Sequence, residues 1–114
     1  MAATFEYWLS SNDSQYWFTL KEDGNREPIL ASTEGYKTEQ GCLNGIASTK
    51  TNAPYDHNYN KFSGADGKYY FTLRAGNYEP ISKSEGYNSS YNRDRGIENC
   101  KIEAPKAAVK KVYK

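Results

Sequence analysis

Near the start of the chain, Phe5, Tyr7 and Leu9 alternate with Glu6, Trp8 and Ser10. After Ser11-Asn12-Asp13-Ser14, Tyr16, Phe18 and Leu20 alternate with Trp17, Thr19 and Lys21. A period of two on either side of a turn cluster predicts two strands. Asp23-Gly24-Asn25 predicts a second tight turn, because Asp-Gly accommodates positive φ. Glu27 to Ser32 then reads as a third strand, with Pro28 at its start, where a missing N–H is tolerated. Thr38 is placed to cap a helix with Glu39 in its first turn, running to about Asn52 and ended by Ala53-Pro54.

The same plan returns. Tyr59 to Ser63 predicts a strand, Gly64-Ala65-Asp66-Gly67 a turn and Lys68 to Arg74 a strand. Ala75-Gly76-Asn77 turns the chain, Glu79 to Ser84 is a strand, and Ser89 caps a helix to about Ala104. Residues 107–113 fit either a last strand or a frayed tail.

The return is a duplication. Gln15 to Lys21 matches Lys68 to Arg74 at an offset of 53, and Gly24 to Ile29 matches Gly76 to Ile81 at 52. Glu34-Gly35-Tyr36 matches Glu85-Gly86-Tyr87 at 51, as Gly45-Ile46 and Ala53-Pro54 match Gly96-Ile97 and Ala104-Pro105. Four blocks in the same order define a tandem pair, repeat 1 over about 5–54 and repeat 2 over about 55–105, with a basic tail over 106–114. Two copies are too few for a solenoid or a propeller. Each half alone is marginal for an independent core. The expectation is therefore one α+β domain: two strand–strand–strand–helix repeats fused into a single, mostly antiparallel sheet. Two helices cross one face, with pseudo-twofold symmetry. The competing arrangement is two independent units on the Pro54 to Asn58 connector.

Gly45 and Gly96 occupy the same place inside both helices, at about 1 kcal/mol each relative to alanine. Their retention in both copies predicts a close approach to the sheet. Phe18, Leu20, Phe71 and Leu73 are the expected core positions of the central strands. Composition supports a ring-built core, since 11 Tyr, 4 Phe and 2 Trp stand against 12 residues of Ile, Leu and Val.

These blocks resemble the YegP-like family, small bacterial proteins assigned to a domain of unknown function. The resemblance rests on the strand blocks Tyr16–Lys21 and Tyr69–Ala75, on Glu34–Tyr36 and Glu85–Tyr87, and on the helix blocks beginning Gly45-Ile46 and Gly96-Ile97. It covers roughly residues 5–105. Thr49, Asn99 and Cys100 depart from the family's helix pattern. The resemblance implies tandem three-strand-and-helix units joined into one sheet by exchanged strands. It implies neither catalytic residues nor a cofactor.

The chain carries 15 basic and 14 acidic residues. Lys106, Lys110, Lys111 and Lys114 fall in the tail, which leaves 11 basic against 14 acidic groups, or −3, in residues 1–105. That is no global nucleic-acid footprint. One histidine and two cysteines cannot build a metal cluster, so neither metal nor cofactor is expected. His57 lies beside Asp56 in the connector and reads as a solvated linker residue. Cys42 and Cys100 read as buried or half-buried structural thiols, with weak activation of Cys42, in the first turns of its helix, as the minor alternative. No apolar stretch approaches the roughly 18 residues of a membrane span. The first residues show no basic, apolar leader. A cytoplasmic, monomeric protein is the default expectation.

Strand parity singles out one surface. If Phe18 and Phe71 face the helices, Trp17, Lys21, Tyr70 and Arg74 face away. Trp8 and Lys61, taken as equivalent positions in the adjoining strands, join them. Rings and cations interleaved on a flat sheet suit a protein partner, single-stranded nucleic acid or a carbohydrate. The same residues also make ordinary cross-strand pairs. The expected function is a non-enzymatic interaction module acting through that face. A nucleic-acid or carbohydrate binder is the alternative, and a thiol-dependent enzyme comes last.

Overall fold

The computed structural model describes residues 2–25 and 27–114. Seven strands and two α-helices follow in the order β1 (Ala3–Leu9), β2 (Tyr16–Glu22), β3 (Leu30–Ser32), α1 (Glu39–Asn52), β4 (Tyr59–Ser63), β5 (Tyr69–Arg74), β6 (Pro80–Ser84), α2 (Ser90–Glu103) and β7 (Ala108–Lys111). They form one sheet in the order β4-β5-β6-β3-β2-β1-β7, antiparallel except for the β1–β7 pair. The halves meet through β3 and β6, where Leu30, Ala31 and Ser32 pair with Ser84, Lys83 and Ser82. This register is symmetric about Ala31 and Lys83, so the pseudo-twofold axis passes there. The arrangement of two independent units on a connector is thereby excluded. β1–β2–β3 and β4–β5–β6 each stay together, so the copies are fused edge to edge and not by mutual exchange. The strand that leaves its own half is β7, which follows α2 and lies on β1.

Both helices start where the sequence predicts. Thr38 Oγ1 accepts from the Gly41 N–H at 2.9 Å, and Ser89 Oγ from that of Asn92 at 3.0 Å. Each buries a narrow stripe, Cys42, Gly45, Ile46 and Thr49 in α1 and Gly96, Ile97, Cys100 and Glu103 in α2. Such a stripe of small side chains lets a helix lie close to what it covers. The third strand of repeat 1 is shorter than expected. The Ile29 N–H still donates to the Leu20 carbonyl at 2.7 Å, but Pro28 just before it has no N–H to offer a ladder.

The two glycines answer to a ring. Tyr36 is bridged to β2 by a pair of hydrogen bonds with Tyr16, 2.7 and 2.8 Å long, and Tyr87 to β5 by a pair with Tyr69, 2.8 and 2.9 Å long. Each ring turns inward and stacks on the central phenylalanine, Tyr36 on Phe18 at 6.2 Å and Tyr87 on Phe71 at 6.3 Å. A Cβ added at Gly45 would stand 2.7 Å from Tyr36 Cζ, and one at Gly96 would stand 2.8 Å from Tyr87 Cζ. The close approach expected of the sheet is thus made mainly by a tyrosine hung from it, and at Gly45 also by Phe18 of β2, 3.2 Å from the added Cβ. Phe5 and Tyr59 complete the pattern edge-on to Phe18 and Phe71. Phe18, Leu20, Phe71 and Leu73 are all buried.

Residues 107–113 are no frayed tail, because β7 is tied down at both ends. Lys50 Nζ donates to the Ala107 carbonyl at 2.9 Å, and the Val112 N–H donates to that of Tyr7 at 2.8 Å. Between them, Lys111 lies 3.2 Å from Glu39, which also accepts the Tyr7 hydroxyl at 2.7 Å.

The glycine contacts set two effects against each other. Alanine in a helix interior gains about 1 kcal/mol over glycine. Overpacking a core costs about 1–3 kcal/mol. With its backbone fixed by the bridge, the ring can yield only by giving up its stack on Phe18, so overpacking wins. Gly45→Ala and Gly96→Ala are each expected to lower stability by about 1–2 kcal/mol, read as a fall of a few degrees in Tm. Tyr36→Phe, which removes the oxygen nearest the new methyl, should restore part of the loss in the Gly45→Ala background. A rise in Tm for either single variant would show that the ring is not clamped.

Candidate binding face

The helices leave one face of the sheet uncovered. A row of outward residues crosses it through the registers Asn60, Thr72, Lys83, Ala31, Thr19, Glu6 and Lys110. Lys21 and Arg74 share its parity on β2 and β5. Glu6 is the one carboxylate on these strand positions, against Lys21, Arg74, Lys83 and Lys110. The rings gather at two diagonal corners, with Trp8 opposite Trp17 and Phe62 opposite Tyr70. Phe62 and Tyr70 stack at 5.5 Å and are 11° from parallel.

These registers correct one predicted site residue. Trp8 matches Phe62, not Lys61. Lys61 stands opposite the buried Phe71, on the helix side, with its Nζ 3.1 Å from Asp94 of α2. The cause is loop length. Six residues separate β1 from β2, and five separate β4 from β5. The shorter loop moves β4 by one position relative to β1, and a shift of one exchanges the faces.

The sequence reading also missed how the rings are mounted. Trp17 Nε1 donates to Asp13 Oδ2 at 3.1 Å, and the Tyr70 hydroxyl donates to Asp66. Each aspartate closes its own turn as well, accepting from the Gln15 or Lys68 N–H at 3.0 Å. The Tyr70 hydroxyl and that turn N–H hold the Asp66 carboxyl below the usual carboxylate range, and the same bond pushes the Tyr70 phenol up. Beneath each ring lies the glycine of a Glu-Gly-Tyr block. A Cβ at Gly35 would stand 2.8 Å from Trp17 Cε2, and one at Gly86 would stand 3.1 Å from Tyr70 Cζ. The signal was present, since Asp13 and Asp66 obey the same offset of 53 as the strands they precede.

One expected cation of this face and one lysine of the tail are engaged inside the chain. The Arg74 guanidinium lies 5.3 Å from the centre of the Tyr78 ring, a residue held at φ +66° in the turn before β6. Lys114 sits 3.8 Å over Trp8 and partly covers it. Lys21, Lys83 and Lys110 lie between the ring corners.

The groups with nucleophilic or acid–base potential lie elsewhere and apart. His57 is exposed on a single 3-10 turn, Asp56–Asn58, while Asp56 pairs with Lys101. Cys42 and Cys100 are both 0% exposed. Burial, with a smaller effect from Glu39, pushes the Cys42 thiol from its ordinary value near 9.0 up to about 11, and burial pushes Cys100 up as well. Both cysteines are thus buried thiols as expected, and the alternative of an activated Cys42 is not met. Among the described residues no group of three or more His, Cys, Asp or Glu side chains is placed to hold a metal ion. Nor, among the described residues, is any helix long and apolar enough to cross a membrane.

A thiol whose pKa is raised by folding favours the folded state below pH 9 and loses that contribution as the pH climbs toward 11. Stability is therefore expected to fall across that window. Cys42→Ser should flatten part of the fall, since a serine does not ionise there. At pH 8 both thiols are expected to react with a maleimide only as the chain unfolds. Fast labelling of the folded protein at either site would contradict the burial described here.

Comparison with known proteins places this architecture. The family described as "Domain of unknown function (DUF1508)" matches twice, at residues 11–60 and 65–110. A UPF0339 protein from the ptx operon 5' region of Stutzerimonas stutzeri is 47% identical over 113 residues, 98% of each chain. The UPF0339 protein YegP of Escherichia coli K12 is 39% identical over 110 residues, 96% of this chain and 97% of that one. The solution structure of Escherichia coli YegP superposes with a TM-score of 0.87 at 38% identity, over 99% of this chain and 95% of that one. A UPF0339 protein of Shewanella oneidensis gives 0.86 at 36% identity, over 99% and 93%. The chain thus belongs to the DUF1508 family, the YegP-like proteins of unknown function, and carries two copies of its domain.

Proposed function

We propose that this protein is a non-enzymatic interaction module that works through the helix-free face of its sheet. The observation that carries this reading is the doubled ring mounting. In each repeat an aspartate in the turn and a glycine under the ring fix one large side chain against an open surface: Asp13, Gly35 and Trp17 in one, Asp66, Gly86 and Tyr70 in the other. Rings held this way lose little freedom when a partner covers them. Tryptophan, tyrosine and arginine are also the residues that most often dominate protein interfaces. Lys21, Lys83 and Lys110 between the corners suit a protein surface rich in carboxylates.

A second reading is favoured by the same lysines together with Lys114 over Trp8. A single strand of nucleic acid would lay its backbone along the cationic row and stack bases at the corners.

The readings separate by probe, salt and ring. The wild-type chain, Trp17→Ala, Tyr70→Ala and Lys83→Glu would be immobilised, and cell lysate and a single-stranded thymidine oligonucleotide passed over each. Protein binding at this face predicts a protein retained by wild type at moderate salt and lost from all three variants, each with a near-native Tm. Stacked bases predict instead that Trp17→Ala weakens the oligonucleotide by about 1–3 kcal/mol, with affinity falling steeply as salt rises. If no ligand of either kind distinguishes wild type from the variants, the face is structural and the proposal fails.

A further inference from the structure

The two repeats differ in how their outer strands are finished. β1, the outer strand of repeat 1, is covered by β7 running parallel to it, with Thr4 beside Ala108 and Tyr7 beside Lys111. β4 occupies the same place in repeat 2, and among the described residues it is the end of the sheet. Its residues Asn60 to Ser63 are exposed, with Phe62 at 40%. An uncovered strand presents unpaired backbone groups and is a template for one more strand.

The chemistry around the vacant position differs in sign from that around β7. In repeat 1 the arriving strand is basic. Its Lys111 meets Glu39, the first residue of α1, which also takes the Tyr7 hydroxyl. The register that places Tyr7 opposite Phe18 places Lys61 opposite Phe71, so Lys61 replaces Tyr7. The first residue of α2 is Ser90, and the first turn of α2 holds no acid. Lys61 and Arg93 share one carboxylate, Asp94, at 3.1 and 3.3 Å. The position that accepts a lysine in repeat 1 therefore carries a lysine of its own in repeat 2, beside the positive end of a helix, while the nearby carboxylates Asp94, Asp56 and Glu98 are already paired. A basic strand such as β7 of another copy would be repelled there.

We propose that the open edge of β4 takes an extended, acidic segment of a partner protein, added parallel to β4 as β7 is to β1. Backbone hydrogen bonds supply the ladder, and a carboxylate at the place corresponding to Lys111 completes the charge pairing of Lys61 and Arg93. This edge is separate from the ring-bearing face, and its occupancy does not rest on that face having a partner.

The test uses the full chain, labelled for amide NMR, and three seven-residue peptides of alternating valine and threonine. They carry two glutamates, two glutamines or two lysines at matched positions. The glutamate peptide is expected to shift the amides of Tyr59–Ser63 and of the start of α2, and to bind at least roughly tenfold more tightly than the glutamine peptide. The lysine peptide should not bind. Lys61→Gln should remove the preference for glutamate over glutamine, while Trp17→Ala should leave it unchanged. The proposal is overturned if millimolar glutamate peptide leaves the β4 amides unmoved, if the three peptides bind alike, or if the shifts fall on Trp17 and Tyr70 instead. Self-association of the free chain through Tyr59–Ser63 would overturn it too, because the occupant would then be a second copy.

Discussion

Each helix is held to the sheet through a single tyrosine ring lying between a phenylalanine below and a glycine above. Tyr36 does this between Phe18 and Gly45, and Tyr87 between Phe71 and Gly96. The rest of the molecule follows from these two wedges. They fix the height of the helices, whose buried stripes are mostly glycine, cysteine, threonine and isoleucine, with Glu103 at the end of α2. They also explain why a chain with so few aliphatic residues has a dense core, since ring stacked on ring fills the space that leucines fill elsewhere. The residue before each wedge serves the opposite face. Gly35 and Gly86 leave room for Trp17 and Tyr70, so two consecutive residues, the Gly-Tyr of each Glu-Gly-Tyr block, serve a ring on both sides of the sheet.

Most of the architecture was legible because the local signals and the duplication agree. The strands other than β3, the caps at Thr38 and Ser89 and the helix ends reappear in the structure within a residue or two. What escaped depends on partners distant in the chain. The sequence of β7 fits a strand and a tail equally well, because its partner, β1, lies at the other end of the chain. Lys61 was put on the wrong face because the parity of β4 is set by the length of the loop after it, one residue shorter than its counterpart. A strand's own alternation does not reveal which face is which. The tether from Asp13 to Trp17 and from Asp66 to Tyr70 was visible as a matched offset, but an aspartate in a turn already has a sufficient local explanation.

The copies have kept their frame and changed their chemistry. The same mounting holds an indole in one and a phenol in the other, each donating to an aspartate. Thr49 returns its hydroxyl to the Gly45 carbonyl at 2.9 Å, while Cys100 fills the equivalent place with a buried thiol. Where Tyr7 and Glu39 receive a lysine, Lys61 and Ser90 stand in repeat 2. The stack of Phe18, Tyr36 and Gly45 is repeated residue for residue in Phe71, Tyr87 and Gly96, while other buried places, Phe5 and Tyr59 or Leu30 and Ser82, have changed. Residues facing solvent or a neighbouring strand have diverged too, which is how a duplicated domain comes to present two unlike edges.

The parallel pairing of β1 with β7 also sets how the molecule bears load. A pull on the chain ahead of Ala3 and beyond Lys111 draws the two strands past one another along their length. All of their ladder bonds are then strained together, in shear, instead of opening one after another as at the end of a hairpin. The Lys111–Glu39 pair and the bond from Lys50 to the Ala107 carbonyl tie the same strand to α1, so sliding must also drag on the helix. A small domain whose outermost elements meet this way resists extension at its ends far better than its modest size suggests, while a pull applied through the turn between β4 and β5 would peel it like a zip.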